Sequence, residues 1–172
     1  MSGSATTYFA MCIEHEGNEL IARECLNLTG AAPEADGFVL CDTVEHVARS
    51  AYVRWGARFI AHAPTLDALT RLIAADPPRG PGFRIDFVDA SGAQPVKRRD
   101  AIIAVADVLQ DRPNLDDPRH VFVLVAREDG FWFGEMVALD AGVAVIGARF
   151  DDDNDFGTGS AYVYEQQANG TW

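Results

Sequence analysis

Val121-Phe-Val-Leu-Val-Ala-Arg-Glu-Asp-Gly-Phe-Trp-Phe-Gly-Glu-Met-Val137 holds two apolar runs around a polar break. Val121 to Ala126 and Phe131 to Val137 have the length and the β-branched and aromatic content of strands, and Glu128-Asp129-Gly130 supplies a hairpin turn. Upstream, Arg98 to Gln110 sets Ile102, Val105, Ala106 and Leu109 at helical spacing and predicts the best helix of the chain; Asn114 to Pro118 joins it to the hairpin as a loop. Further toward the N-terminus, Phe83 to Val88 alternates as a strand, and Ser91-Gly92 turns the chain after it.

The earlier part repeats these two periodicities. Leu66 to Ala75 predicts a helix with Leu66, Leu69, Leu72 and Ile73 on one face, Thr65 ahead of it and Asp67 well placed in its first turn. Ala51 to Ala61 alternates, with Tyr52, Arg54, Gly56, Arg58 and Ile60 set against Val53, Trp55, Ala57 and Phe59. Gly37 to Cys41 reads as a short strand, Glu19 to Leu28 as a helix stopped by Gly30 and Pro33, and Tyr8 to Ile13 as the first strand. Thr43 offers a cap to a brief helical turn over Val44 to Arg49. The order strand, helix, strand, strand, helix, strand predicts an α+β fold with a ferredoxin-like unit over residues 1–90. A second helix-and-strands unit over 91–137 shares its core. Residues 138–172 read as strand, acidic glycine-rich turn, strand.

Composition bounds the function. Of the 172 residues 48% are hydrophobic and 23% charged, which excludes a globally disordered chain. The net charge of −12 argues against a free-standing nucleic-acid binder, because neutralising phosphates favours a basic surface. From Ala138 onward six acids face one base, Arg149, so that stretch carries −5 and residues 1–137 carry −7. Cys12, Cys25 and Cys41 have no C-x-x-C spacing; their spacing indicates neither a zinc site nor a disulfide framework and predicts buried thiols in a reducing compartment. Met1 to Thr7 lacks a basic segment, and Glu14, His15 and Glu16 break the apolar run that follows, so no signal peptide is expected. No stretch reaches the roughly 20 apolar residues of a membrane helix. The expectation is a soluble, cytoplasmic protein.

Lys97-Arg98-Arg99 is the one dense basic cluster, and it falls at the start of the best helix. Cations are unfavourable there unless solvated or used, and outward-pointing amides beside guanidinium groups make a site for phosphate. His15, His46, His62 and His120 are scattered, with no metal or triad spacing, and no serine lies in a Gly-x-Ser-x-Gly context. No catalytic residue and no metal ligand is predicted. Asp151, Asp153 and Asp155 alternate as at the start of a calcium loop, but Phe156 stands where glycine belongs and Tyr162 where the bidentate glutamate belongs; an acidic hairpin turn is expected instead.

Several short motifs together resemble the N-terminal part of the THUMP-containing tRNA guanine-N2 methyltransferase family, from about Tyr8 to Val137. They are Ser50-Ala-Tyr-Val53 with Gly56-Ala-Arg-Phe-Ile60, Phe83-Arg-Ile-Asp-Phe87, Val96-Lys-Arg-Arg-Asp-Ala-Ile-Ile-Ala-Val-Ala106, Asn114-Leu-Asp-Asp-Pro118 and Asp129-Gly-Phe-Trp-Phe-Gly-Glu135. The resemblance implies a ferredoxin-like unit and a THUMP-like unit that hold the acceptor end of a tRNA, with Lys97, Arg98 and Arg99 on phosphates and Trp132, or its neighbour Phe131, stacked on an unpaired base. In that family a Rossmann-type domain in cis then methylates a guanine amine with S-adenosylmethionine. After Glu135 neither its glycine-rich loop nor its Asn/Asp-Pro-Pro-aromatic loop follows, so no cofactor is expected on this chain and no catalysis by it alone. Asp76-Pro77-Pro78-Arg79 imitates the second loop in form, yet Arg79 replaces the aromatic residue and a helix-terminating proline loop is predicted. Val143-Ala-Val-Ile-Gly-Ala-Arg149, Gly159-Ser-Ala-Tyr-Val-Tyr164 and Gly170-Thr-Trp172 resemble one FG-GAP repeat, a propeller blade of adhesion proteins, which implies the rival reading of a protein-interaction fragment.

Overall fold

Glu128 and Asp129 form the two-residue tip of a hairpin whose strands pair from Arg127↔Gly130 down to Phe122↔Glu135. Gly130 is required there: its φ is +127°, and a Cβ would sit 2.3 Å from the carbonyl oxygen of Ala63. The computed structural model describes residues 7–12, 19–41, 53–78, 82–90, 96–137, 143–148 and 160–165. Their order is β1 (Tyr8–Cys12), α1 (Glu19–Thr29), β2 (Phe38–Cys41), β3 (Val53–Ala63), α2 (Leu66–Ala75), β4 (Phe83–Asp89), α3 (Arg98–Ala106), β5 (His120–Arg127), β6 (Gly130–Met136), β7 (Val143–Ala148) and β8 (Ser160–Glu165). The turn expected over Val44 to Arg49 and the acidic loop with Asp151, Asp153 and Asp155 lie outside the described residues.

The α+β class is as expected, and Met1–Val137 forms one compact unit around a six-stranded sheet of order β2-β1-β3-β6-β5-β4. The position of β4 differs from that of a self-contained ferredoxin-like unit closing at residue 90. β1 is flanked on one side by β2 and on the other by β3, both antiparallel, so no edge is left beside it for β4. β3, α2 and β4 make a crossover that skips two positions, and β5 and β6 later fill them. α3 makes a second crossover, which sets β5 parallel to β4 from Phe83↔His120 to Asp89↔Ala126; parallel neighbours need such a connection. Residues 91–137 thus complete the sheet that residues 1–90 begin. Ala138–Trp172 is a separate unit, in which β7 and β8 pair antiparallel from Val143↔Glu165 to Ala148↔Ser160.

Helix ends follow local chemistry. Thr65 caps α2, its Oγ1 accepting from the Ala68 amide at 3.2 Å, and Asp67 pairs with Arg71 one turn on. Asp76 is the C-cap of α2, so the Asp-Pro-Pro turn does end a helix. α3 stops at Ala106, four residues earlier than its periodicity suggests. Amides of Val108 and Leu109 then reach back three residues to Val105 and Ala106, and this tighter turn still buries Leu109.

The three helices among the described residues lie on one face of the sheet. Cys25 of α1 packs among Ala10, Cys12, Val39 and Cys41. Leu69 and Ile73 of α2 and Ala101 and Val105 of α3 pack on Phe83, Ile85, Phe122, Leu124, Phe131 and Phe133. A register shift between Phe59 and Ala61 makes a bulge in β3. Strict alternation would leave Ala61 beside Trp55, Ala57 and Phe59; the bulge moves Ala61 and Ala63 to the helix side under α2. The opposite face is aromatic and contains Phe9, Phe38, Val123 and Val125, with Trp55, Phe59 and Trp132 partly buried beside them. Each fully buried Phe among Phe9, Phe38, Phe131 and Phe133 contributes about 1.5–3 kcal/mol.

Candidate nucleic-acid interface

The start of α3 is built to leave cations outside. Ala101 and Val105 face the sheet and are fully buried, and Ile102 packs half-buried against the same core, while Arg98, Arg99 and Ile103 are exposed. Lys97, Arg98, Arg99 and Asp100 are all exposed. Lys97 is the N-cap in extended backbone (φ −68°, ψ 133°), with no side-chain hydrogen bond to the helix. The first intrahelical bond runs from the Ala101 amide to the Lys97 carbonyl at 3.0 Å, so the amides before it point out of the helix start. Arg98 and Arg99 share a shallow depression with Ile102 and Ile103, and Ile103 is 45% exposed. A cationic rim, outward amides and an apolar floor suit a phosphate together with the apolar edge of its nucleoside.

Trp132 does not join this cluster. It lies on β6 with its ring on the aromatic face, whereas α3 covers the other face, so the sheet separates the two. The indole stacks on His62 with centroids 4.3 Å apart, leans on Phe38 at 4.8 Å, and donates from Nε1 to the Asp129 carboxylate at 3.2 Å. Phe131, its neighbour, points to the helix side and is buried in the core. Of the expected site residues, the fold therefore brings together Lys97, Arg98 and Arg99 and sets the hairpin aromatics apart.

Two polar clusters escape sequence reasoning. Arg127 ends β5 on the aromatic face, with its guanidinium 4.0 Å over the Phe38 ring. Its Nε donates to Asp36 and its Nη2 to Glu34, each at 2.6 Å, and Asp129 lies 3.5 Å from Nη1. Burial alone would favour losing its proton, but the Asp36 and Glu34 hydrogen bonds outweigh it and raise the guanidinium pKa. The available signal is positional: Arg127 follows Val123 and Val125 at strand period, hence on a buried face. The second cluster joins Glu135 of β6 to Arg58 of β3 and to His120 Nδ1 at 2.7 Å. Burial works against the Glu135 charge, yet hydrogen bonds with His120 and Arg58 hold its carboxyl below the ordinary range. Among the described residues, no group of three or more His, Cys, Asp or Glu side chains is arranged to hold a metal ion, and no helix is long and apolar enough to cross a membrane.

With this geometry in place, the fold has known counterparts. It is similar to TrmN from Thermus thermophilus, with a TM-score of 0.57 and 17% identity over 77% of this chain and 46% of that one. It is similar to PH1313 from Pyrococcus horikoshii Ot3, with a TM-score of 0.54 and 10% identity over 77% of this chain and 55% of that one. It is also similar to a 4-thiouridine synthetase solved in complex with RNA and bound ATP, with a TM-score of 0.52, 11% identity and 77% and 41% coverage. The chain spans about half the length of these structures. At such identities the likeness is one of fold, a mixed α+β architecture. Residues 127–164 match the FG-GAP repeat family, beginning before the motifs from Val143 that carry the resemblance and taking in all of β6. No curated protein matches the chain.

Proposed function

We propose that this chain binds tRNA through its Met1–Val137 unit and positions the acceptor end for a modifying domain of the guanine-N2 methyltransferase kind. One observation carries the reading: Lys97, Arg98 and Arg99 stand exposed at an open helix start, on a fold similar to that of a protein solved with RNA. S-adenosylmethionine belongs to the modifying domain in this scheme. The turn that imitates a methyltransferase loop is spent on capping α2 through Asp76, and no residue is assigned to the cofactor. The acidity of the chain then has a consequence: affinity is local, modest and sensitive to salt.

The test is a salt titration of tRNA binding, with Lys97, Arg98 and Arg99 changed to alanine together. Each lost phosphate contact lowers the salt slope by about 0.7 to 0.9 and weakens all tRNA sequences alike. An unchanged slope and affinity removes the cluster from the site, and no binding by the unmodified chain at low salt rejects the reading. A second reading, a protein-interaction module led by the C-terminal segment, rests on the FG-GAP match at 127–164. It predicts that tRNA binding is absent and that partner binding is lost when Ala138–Trp172 is removed.

A further inference from the structure

Cys12, Cys25 and Cys41 are remote in sequence, but the fold buries them in one cluster at 7%, 0% and 2% exposure. Cys12 ends β1, where its amide donates to the Gly37 carbonyl at 2.8 Å, and Cys25 points down from α1 onto the sheet. Their sulfur atoms lie 3.0 Å apart, inside ordinary van der Waals contact for two sulfurs. Cys41 has a different place in the register. It pairs with Tyr8, at the far end of β1, four residues from Cys12 and so roughly 13 Å away along the strand at about 3.3 Å per residue. A disulfide needs Cα atoms within about 7 Å, which separates Cys41 from Cys12.

We propose that Cys12 and Cys25 are a dithiol–disulfide couple that locks α1 onto β1. The closed form links residues 13 apart in sequence and removes freedom from the unfolded chain, so oxidation stabilises the β1–α1–β2 end of the sheet. The oxidant is a small-molecule disulfide. One cysteine thiolate attacks it, forms a mixed disulfide and releases one thiol; the second attacks the mixed disulfide, forms the Cys12–Cys25 bond and releases the other thiol. Two protons leave the cysteines, and two electrons reduce the oxidant. In the closed fold burial, the Cys25 hydrogen bond and the neighbouring thiols push the Cys12 pKa up, so the exchange proceeds when α1 lifts. The proposal is independent of the RNA reading.

The experiment incubates the full chain with oxidised glutathione, unfolds it under acid, alkylates the remaining thiols and maps the peptides. The expected product has lost two hydrogen masses, carries a Cys12–Cys25 linked peptide and is alkylated at Cys41. The Cys41→Ala variant forms the same link, and Cys25→Ala does not. The oxidised chain melts roughly 5–10 °C higher than the reduced one, and dithiothreitol reverses the shift. Alkylation at all three cysteines, stable glutathione adducts, or a link that includes Cys41 overturns the pairing. A Cys12–Cys25 link that leaves Tm unchanged overturns the lock. Because the link is read directly from wild type and Cys41→Ala, a Cys25→Ala variant that fails to fold does not decide the outcome.

Discussion

Arg127 sits at the end of a strand with only 8% of its side chain exposed, and it is held by partners from distant parts of the chain. Asp36 is placed by its own turn, where its Oδ1 accepts from the Phe38 amide at 3.1 Å, and Phe38 offers its ring to the guanidinium. Removing the cation leaves Glu34, Asp36 and Asp129 facing one another without it. Arg127→Met is expected to cost about 3 kcal/mol, near the low end for a broken buried pair because Glu34 and Asp129 can rehydrate. Arg127→Lys should recover part of this, since a lysine keeps the charge but not the planar fork. Denaturant melts check both, and a neutral Arg127→Met would show that the cluster does not hold the edge. Glu135 gives a pH dependence. Its folded pKa lies below the unfolded value, so its contribution is complete above the ordinary carboxylate value of 4.5 and is lost as pH falls through the lower, folded one. Tm measured against pH should therefore fall more steeply in acid for the wild type than for Glu135→Gln, and parallel curves would reject the assignment.

At the scale of elements, the starts of α2 and α3 are built differently. Thr65 gives α2 a capping oxygen, whereas α3 starts on Lys97, which has none to offer and adds charge of the wrong sign for a helix start. Lys97→Ser should stabilise the fold by about 0.5–1 kcal/mol while weakening tRNA binding. Thermal melts and binding isotherms on the same variant separate the cases: a loss of both would make Lys97 structural, and a gain of both would remove it from the interface. Helix and strand positions were legible because period 2 and period 3.6 are local signals, and the Lys97–Arg99 cluster was legible as a composition anomaly at a helix start. Long-range pairing was not. The β3 bulge that moves Ala61 to the helix side leaves no mark in the alternation of Trp55, Ala57 and Phe59. The face on which Trp132 falls follows from the same strand order that sends β4 to the far edge, and neither could be read from neighbours in sequence.

For the molecule as a whole, the question is where the folding unit ends. The FG-GAP match begins at Arg127 and so claims β6, but β6 has both of its edges paired, one to β3 and one to β5. The buried clusters on both faces of the sheet draw their residues from positions before Val137, and the Val137 amide closes the sheet by donating to Gly56 at 3.0 Å. A chain cut after Val137 keeps every one of those partners. It should melt in a single cooperative transition with a Tm within a few degrees of the full chain. The cut also removes −5 of the −12 net charge. If Lys97–Arg99 attracts phosphate through its local field, the shorter chain should bind tRNA more tightly than the full chain at low salt, and the difference should shrink as salt screens the acidic segment. Two measurements, calorimetry and a salt series of tRNA binding, decide this. A molten or insoluble product would mean that the C-terminal segment completes the fold. A cooperative product with no tRNA affinity would leave the fold standing and reject the RNA interface, since the residues that form it are all retained.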